Sequence, residues 1–173
     1  MRALLLLVTM WVLPALVAAQ TYDKQKIDSF ASAIAHAEGF NVKHSIPAKY
    51  HNPGDIKSRP NFHPFPGQKA IGKGGHIIFK TDKAGWDALN DQIKKMIDGR
   101  SKHFNPNMTI VQVAKRYAQN WKPWVKIVTH ELNVNPNITL KKLLTSDEPE
   151  IFLPLTAFNL PPPTLMLPTL AKN

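Results

Sequence analysis

The chain has 173 residues, a formal net charge of +10 and no cysteine. Disulfides and thiolate metal sites are therefore excluded, and whatever folds must be held by packing alone. A positive field of this size favours polyanionic partners: nucleic acid, acidic lipid or bacterial wall.

Residues 1–20 read as a secretory signal peptide. Arg2 gives a positive start, residues 4–17 form an apolar run broken only by Thr9 and Pro14, and Val17-Ala18-Ala19 supplies the small residues of a cleavage site. The run is short for a membrane span and no stop-transfer pattern follows, so no stable span is expected after cleavage. An uncleaved N-terminal anchor is the alternative, and either reading exports the remainder. Losing Arg2 and no acid lowers the formal charge from +10 to +9. Export, to the periplasm or outside the cell, favours the wall over nucleic acid, and no nucleic-acid-binding pattern is present.

Residues 23–38 read as an amphipathic helix, with Ile27, Phe30, Ile34 and Ala37 at helical spacing. Thr21 or Asp23 can cap its start and Gly39 can end it. Residues 40–65 show no sustained period. Two short strands are expected at residues 68–71 and 76–80, around the turn Lys73-Gly74-Gly75.

Helices are expected at residues 81–98, 109–121, 124–132 and 139–145. Thr109 and Gln112 make a capping box, and Pro123 suits a first helical turn. Asn107-Met108-Thr109 and Asn137-Ile138-Thr139 fit a glycosylation triplet, but both threonines are better explained as helix caps. The order gives an α+β domain over residues 21–146, mainly helical with a small β-hairpin lobe. Residues 147–173 form a proline-rich, apolar arm in which Pro149, Pro154, Pro161 and Pro168 exclude regular helix.

Glu38 is the candidate for chemistry. A carboxyl group donates a proton to a leaving oxygen if its pKa lies above the ordinary value of about 4.3. Glu38 ends a helix, where exposed carbonyls disfavour a carboxylate, and Ala37 and Phe40 can add desolvation. A helix built only for stability carries Lys or Arg there, although an ordinary solvated Glu is the plain alternative.

The ordered set Ala35-His36-Ala37-Glu38-Gly39-Phe40, Tyr50-His51-Asn52-Pro53-Gly54-Asp55-Ile56, Ile78-Phe79-Lys80-Thr81 and Ala84-Gly85-Trp86-Asp87-Ala88-Leu89 resembles a lysozyme-like family. These are wall-degrading lysins of phage particles and related bacterial lytic transglycosylases. The likeness continues through Tyr117-Ala118, Trp124-Val125 and Leu132-Asn133-Val134, spanning roughly residues 24–145.

The resemblance implies a lysozyme-like fold and peptidoglycan, or a related amino-sugar glycan, as substrate. It implies Glu38 as general acid, Asn52, Gly54 and Asp55 as residues of the cleft floor, and Tyr117 as an aromatic bordering the sugar. His51 departs from the pattern, which often has Asn there, and residues 57–73 are unusually rich in Pro, His and Lys.

Asp55 can be a second carboxylate, as a hydrolase requires, or an Asp that closes a turn after Pro-Gly. A transglycosylase needs only Glu38. His44, His51, His63 and His76 lack tight metal-ligand spacing, so no metal or cofactor is expected. Trp121 and Trp124 can stack on sugars, although Trp at helical spacing is more often core. The expected protein is a monomeric muramidase-type enzyme, a transglycosylase ahead of a hydrolase. A catalytically inactive wall-binding or assembly protein on the same fold is the rival reading.

Overall fold

The computed structural model describes residues 22–60 and 63–145. The expected signal peptide and proline-rich arm lie outside the described residues. What is described is mainly helical with one two-stranded antiparallel sheet, the α+β arrangement expected.

Helix α1, Lys24–Ala37, starts where Asp23 Oδ1 accepts from the backbone N–H groups of Gln25 and Lys26. Its inner stripe, Ile27, Phe30, Ala31 and Ile34, is buried. The helix stops in a left-handed cap at Gly39, φ +78°, a conformation that costs glycine little. Gly39 N–H donates to His36 O and Phe40 N–H to Ala35 O, which leaves Glu38 as the last helical-conformation residue.

The segment expected to be irregular contains one short helix, α2, Ile46–Lys49. Ser45 caps it and Pro47 lies in its first turn. A single turn leaves no period to detect, which is why the sequence pattern misses it.

Strands β1, Gln68–Ile71, and β2, Ile77–Phe79, pair antiparallel with an irregularity between Gln68 and Ala70. β2 begins one residue later than expected, because His76 forms an isolated antiparallel bridge with Lys57.

Helix α3, Asp82–Ile97, is capped by Thr81; α4 is Ile110–Tyr117, α5 Trp121–Leu132 and α6 Leu140–Leu144. The Thr109–Gln112 capping box forms as expected, and Thr139 caps α6. α4 ends four residues earlier than expected. Ala118 turns extended, and α5 instead starts early, at Trp121. Pro123 sits third in α5, where a missing N–H leaves no helical bond unmade.

Two hydrophobic clusters form. The larger joins the helices through Phe30, Ile34, Leu89, Ile110, Val128 and Leu140. The smaller lies under the hairpin and gathers Ile56, Phe65, Ile77, Phe79 and Ala88. Adjacent residues of α3, Ala88 and Leu89, therefore belong to different clusters, and α3 is the wall between them. Each fully buried Leu, Ile or Phe contributes about 1.5–3 kcal/mol.

Gly85 decides how closely the loop before the hairpin approaches α3. A Cβ there would lie 1.9 Å from His51 O and 2.7 Å from Pro53 Cδ. No described helix is long and apolar enough to cross a membrane.

Candidate active site

Glu38 is held where α1 ends and is reached from α5. Trp124, only 2 % exposed, donates its indole N–H to Glu38 Oε1 at 2.8 Å. A buried indole N–H needs an acceptor, and here the acceptor is the candidate acid. The aromatic noted in the sequence as core is thus core and site at once.

Asn52, Pro53, Gly54 and Asp55 form a turn closed by Asp55 N–H donating to Asn52 O at 3.0 Å. Asn52 is fully buried. Its Nδ2 donates to Ile56 O and to Ile77 O, both at 2.9 Å, and its Oδ1 accepts from Ile56 N–H at 2.8 Å. The amide is committed to backbone groups, so Asn52 ties the turn to β2 and offers no free polar atom for a sugar.

Gly54 fits because it has no side chain. A Cβ would lie 2.8 Å from Leu89 Cδ1 and 3.0 Å from the Tyr117 hydroxyl. That hydroxyl donates to Gly54 O at 2.7 Å, and the Tyr117 ring lies 5.6 Å from the Trp124 ring. Burial, then the negative charges of Glu38 and Asp55, push the Tyr117 pKa upward, so it stays a neutral donor. Glu38, Gly54, Asp55, Tyr117 and Trp124 are therefore brought to one neighbourhood, with Asn52 supporting it from beneath.

Asp55 adopts a left-handed backbone, φ +46°. Its Oδ1 lies 2.6 Å from Nδ1 of His76. The approach is within ion-pair distance but not aligned as a hydrogen bond, and neither atom has another polar partner. His76 is a member of this neighbourhood that sequence reasoning missed. Its only signal was a histidine beside the hairpin turn, which reads as solvated.

The electrostatics make Glu38 unusual. Its pKa is pushed up to about 7, first by burial and then by the negative charge of Asp55. The Trp124 hydrogen bond and the positive charge of Lys57 pull the other way. Near neutral pH such a carboxyl group holds its proton part of the time and can both give and accept one.

His51 lies apart, its Nδ1 2.6 Å from Asp82 Oδ1. Its backbone is left-handed, φ +52°, a conformation that Asn tolerates well. Among the described residues no three metal-ligating side chains converge. Two open recesses, of about 430 Å³ beside Lys115 and Arg116 and about 320 Å³ between α1 and α3, do not border Glu38. The chemistry, not the volume, singles out the Glu38 neighbourhood.

Compared with family models, with curated proteins and with solved structures, the chain matches none.

Proposed function

We propose that the chain is an exported enzyme that cleaves peptidoglycan or a related amino-sugar glycan, with Glu38 as general acid and then general base. The observation that carries this reading is the Glu38 carboxyl, raised to about 7 and held by the Trp124 indole. The mainly helical frame with one small hairpin is compatible with the lysozyme-like fold that this reading carries.

In the first step Glu38 gives its proton to the glycosidic oxygen and the C1–O bond breaks, leaving positive charge on the ring. The Asp55 carboxylate, close enough to act on Glu38, supplies negative potential there. In the second step the Glu38 carboxylate takes the proton of the sugar's own C6 hydroxyl, whose oxygen attacks C1 and closes a 1,6-anhydro ring. Water attacking C1 instead makes the reaction a hydrolysis.

Charge supports a wall polymer as partner. Residues 40–81 carry seven Lys or Arg and one acid, Asp55. All seven are exposed, and none forms an ion pair among the described residues. Such a surface attracts an anionic polymer and loses its hold as salt rises.

Mass spectrometry of digested peptidoglycan tests the reading. Anhydro-muramyl products are expected. Reducing-end products mean a hydrolase, and binding with no product means the silent wall-binding protein.

A further inference from the structure

Asp55 and His76 meet beside Glu38 in a contact that neither the turn nor the hairpin requires. The side chains are 23 % and 12 % exposed, and the contacting atoms are buried. Each backbone is fixed independently. Asp55 N–H closes the turn on Asn52 O, while His76 O accepts from Gly72 N–H at 2.7 Å and its strand segment bridges Lys57. The imidazole is seated against the turn on its other edge, since a Cβ on Gly74 would lie 3.2 Å from His76 Cδ2. Asp55 reaches this contact from a left-handed backbone, and strain of that kind collects at functional sites.

We propose that His76 is a positioning residue: it holds Asp55 in place as an ionised second carboxylate for Glu38 and supplies the counter-charge to it. The proposal rests on Glu38 being the acid of the site. The groups acting on Glu38 are Asp55 and Lys57 from the loop and the Trp124 indole from α5, with the neutral Tyr117 hydroxyl on α4 beside Asp55's turn. His36, on its own helix, is paired with Glu131 of α5. Asp55 helps Glu38 keep its proton, and an imidazolium against Asp55 partly cancels that help. Removing either partner therefore moves Glu38 in opposite directions.

The test is a carbon-13 NMR titration of the Glu38 carboxyl in the full chain without substrate. Asp55→Asn is expected to move the Glu38 midpoint to lower pH. His76→Gln is expected to move it to higher pH by at least about half a unit. The alkaline limb of kcat follows in the same directions. A folded His76→Gln protein whose Glu38 midpoint stays or falls overturns the proposal. If that variant does not fold, nitrogen-15 spectra of the wild-type imidazole decide: protons on both ring nitrogens while Glu38 titrates support it, and a neutral ring overturns it. Because the titration needs no substrate, opposed shifts in a protein without glycan-cleaving activity would reject the catalytic reading and leave the Asp55–His76 coupling standing.

Discussion

The indole N–H of Trp124 donates to Glu38 Oε1 at 2.8 Å, tying the end of α1 to the start of α5. The bond favours the ionised carboxyl, while burial and Asp55 favour the protonated one, and the second pair wins. Glu38 is thereby fixed in direction without being committed to its charged state.

Replacing Glu38 by Gln keeps the shape and removes the acidic proton. Cleavage is expected to fall by about 10²–10⁴ with the fold intact. Wild-type turnover by a folded Glu38→Gln protein, measured on purified peptidoglycan, would remove Glu38 from the mechanism. In the wild type, activity that depends on protonated Glu38 should decline as pH rises through about 7.

The same substitution should stabilise the protein, but only above acid pH. Glu38 has an ordinary value of 4.5 and a folded value of about 7. Between them the folded state holds a proton that the unfolded state has released, so stability falls as pH rises through that window. Below it, wild type and Glu38→Gln should unfold alike. At pH 8 the variant should be more stable, by up to about 3 kcal/mol. Paired thermal unfolding at pH 4 and pH 8 measures the difference, and equal melting at both would contradict a raised Glu38.

Trp124→Phe removes the one hydrogen bond that lowers the Glu38 pKa. The Glu38 midpoint should rise, and the alkaline limb of activity should move with it. The buried indole also fills core space, so a stability loss of about 1–3 kcal/mol is expected. A midpoint that falls in a pH titration would show that the indole is not acting as a donor to the carboxylate.

Asn52→Leu strips the buried Ile56 N–H of its acceptor and removes the amide's bonds to Ile77 O and to Ile56 O, which keeps its bond from Ile77 N–H. The orphaned N–H costs about 1–3 kcal/mol and each lost carbonyl bond about 0.5–1.5 kcal/mol. The melting temperature should drop by at least about 8 °C. A drop of only a few degrees in calorimetry would mean the turn holds without its amide.

Gly85→Ala tests the approach of the loop to α3. Its Cβ would collide with His51 O, so the loop or the helix must shift. Ala is the better helix former by about 1 kcal/mol, yet a net loss of stability and of activity is expected. A stabilised Gly85→Ala protein in denaturant unfolding would show that the close approach is not rigid.

The sequence by itself determined where the longer helices lie and the caps at Asp23, Thr81, Thr109 and Thr139. Periodicity and capping are local, so the stripe Ile27, Phe30, Ile34, the Asp23 and Thr109 caps and the left-handed stop at Gly39 need only neighbours within a few residues. It also singled out Glu38, because an acid at a helix end opposes the local electrostatic rule. The one-turn α2 escaped for lack of a period, and the α4–α5 boundary moved because extended Ala118 and the early start at Trp121 are not periodic features. What only the tertiary structure decided are the partners: the Trp124 indole on Glu38, 86 residues away, and the Tyr117 hydroxyl on Gly54, 63 residues away. The same holds for His76 against Asp55 and for the buried amide of Asn52 on β2. These pairings arise from how α1, α3, α4, α5 and the hairpin close around two cores, and contacts of that range follow from packing, which no local pattern encodes.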